Sequence, residues 1–309
     1  HRQSHTPGDL TLPLGPNRTP TLIPRLEASE ACEFLGAMTR PDGNQSNQFR
    51  FLLSKAKKWA DTVRTKHISK HDGWHCLNNT ILKTLEYPLM ATTMTRKQCK
   101  ALMTPILKAG LPKSQVQCSM PRAIVHGSLA VQGFDLHHLH STQTIQHLQA
   151  LMRHGTRTTI TGQLLRATMQ GLQLELGSAA SFWHLDFPTW NFLATHSWIS
   201  HTWETIFESS LDLRGPSIAP TPPRIGDIGL MDFLMEQPLS IDVMVHLNNF
   251  RLRSKVFWTS DLATVDGTQI HADPWTGKPI DRPDAHDWPK TFRPNEQDLN
   301  DWQAALSPL

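Results

Sequence analysis

Residues Ala31 to Lys70 read ACEFLGAMTRPDGNQSNQFRFLLSKAKKWADTVRTKHISK, and this stretch sets the reading of the whole chain. It opens with the short apolar run Phe34-Leu35-Gly36, suited to a strand. Pro41-Asp42-Gly43-Asn44 is a turn signal, because proline presets one backbone angle and Gly and Asn accept the left-handed region. Beyond it, Phe49, Leu52, Leu53, Ala56, Trp59, Ala60 and Val63 recur at spacings of three and four, which predicts an amphipathic helix. Seven bases lie between positions 50 and 70 (Arg50, Lys55, Lys57, Lys58, Arg64, Lys66 and Lys70) against the single acid Asp61. One face is therefore apolar and the rest largely cationic. Two readings fit: a solvated surface helix, or a helix that lies along a nucleic-acid backbone and neutralises phosphates.

The chain has 309 residues, enough for one large domain or two to three smaller ones. Its net charge is only +3, but the charge is unevenly placed. Segment 50–70 is net +6, whereas 259–309 holds nine acids and four bases. That asymmetry suggests that one part meets polyanions and another does not. The four cysteines, Cys32, Cys76, Cys99 and Cys118, form no Cys-x-x-Cys pair. They read as buried small hydrophobes in a reducing compartment rather than as disulfide or zinc ligands. No apolar run reaches the length of a membrane span and no signal peptide is present, so no membrane partner is expected. The chain opens on His1 rather than Met, which fits a segment of a longer polypeptide.

Around the basic helix, residues 1–30 read as irregular with one strand at Thr21–Ile23. Trp74, Leu77, Ile81 and Leu85 form a helical stripe, read as core-facing, with no stacking role for Trp74. Thr95-Arg96-Lys97-Gln98 has the form of a capping box. The helix it opens carries Cys99, Leu102, Met103, Ile106 and Leu107, should bend or break at Pro105, and should stop at Gly110. Arg96, Lys97 and Lys100 form a second basic cluster at its start. Residues 111–135 read as a loop with strand-like pieces at Ala123–Val125 and Leu129–Val131. His137, His138, His140 and His147 contain a His-x-His, but no Cys or acidic partner has zinc spacing, so they read as polar surface. Helices follow at 141–154 and 158–176. The aromatics of 182–207 read as core.

The best linker candidate is GPSIAPTPP, Gly215–Pro223. Beyond it, Asp227 caps a helix to Glu236 and Ser240 caps another to Asn248. Arg251, Arg253 and Lys255 alternate with Leu252, Ser254 and Val256, which predicts a strand with a basic face. Asp266-Gly267 suggests a turn into Thr268–Ile270. Val265–Thr268 has the look of a ribonuclease H opening, but the further carboxylates such an enzyme needs do not follow. Residues 271–309 read as irregular, with Trp275, Trp288 and Trp302 as isolated anchors.

The order Phe34-Leu35-Gly36, loop with Asp42-Gly43, then a basic helix with Lys55-Ala56-Lys57-Lys58-Trp59 resembles the end of a reverse-transcriptase palm entering its thumb. It is most similar to the reverse transcriptases of non-LTR (LINE-like) retrotransposons. The likeness continues through Leu85-Glu86-Tyr87-Pro88-Leu89, Cys99, Gln132-Gly133-Phe134 and Leu247-Asn248-Asn249-Phe250-Arg251-Leu252. It implies that Phe34, Leu35 and Gly36 form a hairpin at the primer terminus. It also implies that Lys55, Lys57, Lys58, Arg64, Lys66, Arg96, Lys97 and Lys100 grip the phosphates of a template-primer duplex of RNA and DNA. The organisation expected is a palm-end remnant at 1–43, a thumb-like region at 44–110, a helical connection at 111–214, a linker at 215–224 and an α+β segment at 225–309. The fold class expected is mainly α with small β elements. The upstream palm and fingers would be partners in the same polypeptide, in the nucleus or cytoplasm. Magnesium is implied only for the complete polymerase, and no cofactor or metal is expected in this chain.

One departure matters more than any match. The chain contains no Asp-Asp dipeptide, and phosphoryl transfer by two metals needs carboxylates to hold them. The chain therefore reads as a non-catalytic C-terminal portion. The alternatives are a free-standing helical nucleic-acid-binding protein, or a decayed element with a structural role only. The purified chain should extend no primer on an RNA template, with or without magnesium. Any extension product on a gel would refute the reading.

Overall fold

The basic stretch folds into the long helix α1, Ser46–Thr65, in this computed structural model. Asn44 Oδ1 accepts the Ser46 N–H at 2.8 Å and opens it. Gln48, Leu52, Ala56, Ala60 and Val63 are buried, one residue per turn along one face. The structure describes residues 10–14, 19–23, 27, 29–34, 36–40, 43–213, 218–264, 266, 268–280, 288 and 295–307. The chain is mainly helical with small β elements. It divides between Leu136 and His137 into two units, each with its own core.

In the first unit, β1 (Leu10–Leu14) pairs antiparallel with β2 (Thr19–Ile23). The hairpin expected near Phe34 is β3 (Cys32–Phe34) against β4 (Ala37–Thr39), with Phe34 opposite Ala37. Gly36 turns it at φ +81°, a left-handed value that favours glycine. Leu35 lies outside the described residues. Met38 N–H donates to the buried Gln48 Oε1 at 2.6 Å, which ties the hairpin to α1.

The next helix is not uniform. α2 (Lys70–His75) runs into a π-helical segment, Cys76–Ile81, and then into α3 (Leu82–Glu86). Gly73, Leu77, Ile81 and Leu85 are buried. In a regular helix a strict spacing of four drifts about 40° per step. The wider i→i+5 turn rotates less per residue and returns the stripe to one face. Trp74 departs from the sequence expectation: Gly73, not Trp74, is on the buried line, and Trp74 is half-exposed.

α4 (Arg96–Lys113) begins at Thr95 with the complete capping box. It runs through Pro105 and past Gly110, where a break and a stop were expected. Gly110 has a packing task instead. A Cβ there would lie 3.0 Å from Leu77 Cδ1 and 3.3 Å from Trp59 Cη2. Lys113 Nζ donates to the Lys66 carbonyl at 2.7 Å, so α1 and α4 bring their C-terminal ends together. The strand-like pieces expected at 123–131 are helical: α5 (Arg122–His126) and a 3-10 turn, Leu129–Val131. The Ile124 and Val125 carbonyls accept instead from Phe134 and Leu136. The cysteines also differ from expectation. Cys99 is buried, and burial pushes its thiol up to about 12, but Cys32 and Cys118 are exposed.

The second unit is built from α6 (Leu139–His154), α7 (Ile160–Leu176), α8 (Phe187–Trp190), α9 (Trp198–Glu208), α10 (Leu230–Met235), α11 (Ile241–Ser254), α12 (Ala272–Trp275) and α13 (Glu296–Leu306). Its core draws on both sides of the Pro-rich segment, from Leu172 and Trp203 to Leu247, Phe250 and Trp302. Residues 214–217 of that segment lie outside the described residues. Trp203 Nε1 donates to the Leu185 carbonyl, and Trp302 Nε1 donates to that of Pro274. Trp302 stacks on Phe250 at 4.7 Å between ring centroids. It belongs to a helix, not to the irregular tail expected, and Asn295 and Asp298 cap that helix reciprocally.

Two more expectations fail here. Asp227 does not cap α10; its carboxylate accepts from Thr259 and Ser260 instead. Arg251 and Arg253 are on α11, not on a strand, and Lys255 ends the helix in the left-handed region at φ +57°. In place of the second β element there are isolated bridges, Gly229 to Trp258 and Ala263 to Ile270. Gly267 and Val265 lie outside the described residues.

Arg251 is fully buried. Its guanidinium donates to the Asn248 side chain and to the carbonyls of Val256, Leu174 and Glu175. Asn248 Nδ2 donates to the Glu175 carbonyl at 2.8 Å. Together they satisfy the last carbonyls of α7, which have no partner within the helix. Burial pushes the guanidinium down to about 9, so it is still charged at neutral pH. Gly177, at φ +68°, leaves the space: a Cβ there would sit 2.6 Å from Arg251 Cζ. Arg251→Met strands the Leu174 and Val256 carbonyls and the Asn248 amide oxygen and should cost about 3 kcal/mol or more. Gly177→Ala should do comparable damage. Arg253→Met, on the exposed side of α11, should stay within about 0.5 kcal/mol of the wild type. Urea denaturation followed by circular dichroism measures all three. An unchanged midpoint for Arg251→Met would mean that the cap is dispensable.

Candidate nucleic-acid interface

The expected phosphate-binding residues lie on α1 and α4. Lys57, Lys58, Arg64 and Lys66 are exposed, as are Arg96, Lys97 and Lys100. Lys55 differs. It is half-buried, with its Nζ 4.1 Å from the Phe51 ring centroid, so its ammonium is held against an aromatic face. Seven residues are two helical turns less about 20°, so Arg50, Lys57 and Arg64 fall on one line along α1. Successive members are about 10 Å apart along the axis at 1.5 Å per residue. Arg50 belongs to the charge run but not to the expected site. Its spacing of seven to Lys57 is the signal that could have placed it there.

Asp61 stands within this face. It accepts from Arg64 Nη1 at 2.9 Å, with both side chains largely exposed. Arg50 Nη2 donates to Asn47 Oδ1 at 2.6 Å. Among the described residues Lys57 and Lys58 have no ion-pair partner. Arg96, Lys97 and Lys100 start α4, at the opposite end from Lys113, and α4 is about 27 Å long by its 18 residues. One basic cluster thus runs along α1 from Arg50 to Lys66, and the other sits at the N-terminal end of α4.

In the hairpin, Phe34 is 66% exposed. A Cβ on Gly36 would lie 3.7 Å from the ring of Tyr87, which is itself exposed. Phe34 on the hairpin and Tyr87 beside its Gly36 turn thus both lie at the surface.

Of the four histidines read as polar surface, His137 is exposed and His138 and His140 are half-buried, but His147 is in the interior. His138 Nδ1 faces the Ser141 N–H at the start of α6. His147, almost fully buried, lies 4.4 Å from the Trp198 ring and bonds Thr202 Oγ1. Buried His201 lies between α6 and α9: Nδ1 faces Glu204 at 3.3 Å and Nε2 faces the Gln143 amide at 3.0 Å. Since an ionised carboxylate only accepts, Nδ1–H donates to Glu204. Among the described residues no group of three or more His, Cys, Asp or Glu has metal-ligand geometry. No described helix is long and apolar enough to cross a membrane.

No protein-family model, no curated protein and no solved structure matches this chain.

The His201 hydrogen bond holds the Glu204 carboxyl below its usual range, with the charges of His201, His196 and His140 adding to the effect. A depressed carboxylate stabilises the fold above its unfolded value, near 4.5, and loses that contribution as pH falls through the folded value. Glu204→Gln should therefore lower stability at neutral pH and flatten its loss below about pH 4.5, so that the two curves converge in acid. Melting temperatures across the acid range test this. Parallel curves for wild type and variant would remove Glu204 from the pH response.

Proposed function

We propose that residues 46–113 bind double-stranded nucleic acid through its phosphate backbone, as the thumb of a polymerase holds a template-primer duplex. The line Arg50, Lys57 and Arg64 along the outer face of α1, with Lys58 beside it, carries the reading. Exposed ammonium and guanidinium groups spaced along one helix face meet the phosphate backbone by charge, a contact that carries no sequence information. The resemblance of residues 31–70 to the palm–thumb junction extends the reading. On that basis the chain is the non-catalytic C-terminal portion of a non-LTR reverse transcriptase. The duplex it holds is RNA–DNA hybrid, with Phe34 and Gly36 facing the primer end, and the palm and fingers belong to the same polypeptide. Magnesium belongs to that upstream part.

Binding should ignore sequence and fall steeply with salt. Each phosphate contact removed lowers the log–log salt slope by about 0.9 on duplex DNA. Arg50→Ala, Lys57→Ala and Lys58→Ala together should reduce the slope by roughly 2 to 3. All three side chains are exposed, so the thermal transition should hardly move. Lys55 is left out of the set because its position over Phe51 joins charge to packing. Asp61→Asn should raise affinity, since it removes the one acid of the face. Equal slopes for wild type and triple variant, measured by fluorescence anisotropy on duplex DNA and on hybrid, would mean that these side chains meet only water.

A further inference from the structure

Beside the C-terminal end of α1 lies a cavity that the duplex reading does not use. It has a volume of about 680 Å³ and is lined mainly by apolar groups, with Trp74, Val116 and Phe134 as its walls and Ser69, Lys70 and His71 at its rim. Trp74 and Phe134 meet edge to face, with centroids 5.9 Å apart and planes at 80°, so each presents an uncovered ring surface. Both are only half-buried. The size and the apolar lining suit a single planar ring with polar edges.

The surroundings are cationic. Lys70 is exposed at the rim, and Lys66 and Lys113 are joined by the hydrogen bond that closes the α1–α4 end. Two acids adjoin the lining in the chain: Asp72, whose carboxylate is engaged by Ser69 Oγ at 2.7 Å, and exposed Asp135, next to Phe134. An aromatic corner next to exposed lysines is the arrangement that holds a base by its face and the adjoining phosphate by charge.

We infer that the Trp74–Phe134 corner binds an unpaired nucleobase of a single strand, with Lys70 and Lys66 meeting its phosphates. This rests on the proposed duplex reading, and places a strand leaving the α1 face into the cavity. Stacking on Trp74 supplies the base contact and makes it tolerant of sequence, since every base has a π face.

The full chain is titrated with single-stranded oligo-dT and with an abasic deoxyribose-phosphate strand of equal length. Wild type should bind oligo-dT about 5- to 100-fold more tightly, the range of one stacked base. Trp74→Ala should erase that difference while leaving the abasic strand and duplex DNA bound as before. Trp74→Phe should keep part of it. Should Trp74→Ala lower the melting temperature, Phe134→Leu provides the same comparison from the opposite wall. Equal affinity of wild type for the two strands overturns the inference, and so does a base-dependent difference that survives both variants. The duplex reading is tested apart from this, by salt slope on α1 variants. Failure there leaves the base-dependent difference intact, and failure here leaves the slopes intact.

Discussion

A fully buried guanidinium organises the second unit. Arg251 reaches from α11 to the last carbonyls of α7, while Asn248, one turn earlier on the same helix, takes another contact at that end. The α-helix dipole places partial negative charge there, and a cation is the complement. The chain then leaves α7 through Gly177, whose lack of a side chain makes room for the guanidinium. The turn beyond Gly177 is held by further buried polar groups. Gln173 bonds the carbonyls of Ser178 and Ala180 and the Phe182 N–H. Asp232 on α10 accepts the Ala179 N–H and adds favourable charge to Arg251. Breaking one such contact leaves others buried and unmatched, so the turn after α7, α10 and α11 stand or fall together.

The first unit is governed by small residues instead. Ala56 and Ala60 on α1, Gly110 on α4 and Gly73 on α2 are buried contact points. A Cβ at Gly73 would come within 2.9 Å of the Lys113 carbonyl. Helices that approach this closely can bury a narrow stripe and leave most of their circumference outward. That is why α1 can carry so many charges and still be held. Like charges three or four apart on a helix cost roughly 0.2–0.5 kcal/mol per pair. Asp61, spaced three or four from Lys57, Lys58 and Arg64, offsets part of this. The outward face is thus a compromise between folding, which favours the acid, and polyanion binding, which does not.

The regular helices were legible because their apolar residues keep time with the backbone, as in α1, α4, α6 and α7. The caps at Thr95 and Ser240 were legible too, and Asn295-x-x-Asp298 offered the same signal for α13. Arg251 was misread for a definite reason. Asn248, Arg251 and Ser254 are buried polar residues spaced as a helix requires, and apolar patterning is blind to them. The alternation of bases after 250 then imitates a strand. Pro105 and Gly110 were read by their local habits, and tertiary packing overrode both. In the candidate interface the charges were evident, but their phase was not. Only the packed helix separates Lys55, turned onto Phe51, from the line of Arg50, Lys57 and Arg64. Trp74 and Phe134 are 60 positions apart, and nothing local announces that they meet.

The π segment at Cys76–Ile81 writes chain length into side-chain register. Gly73 upstream of it and Leu77 near its start face the interior; downstream, Leu82 and Leu85 do so only because the wide turn has taken up one more residue than a regular turn holds. Loss of one residue from Leu77-Asn78-Asn79-Thr80 would let the coil tighten to ordinary pitch and keep its hydrogen bonds. Leu82, whose N–H reaches back five residues to the Leu77 carbonyl, would then reach back four, and Leu85 and the 3-10 turn Tyr87–Ala91 would keep their places. A one-residue deletion here would therefore leave Tyr87, and with it the Gly36 turn, where it stands along the helix. Related chains would differ at this point by length before they differed by residue type.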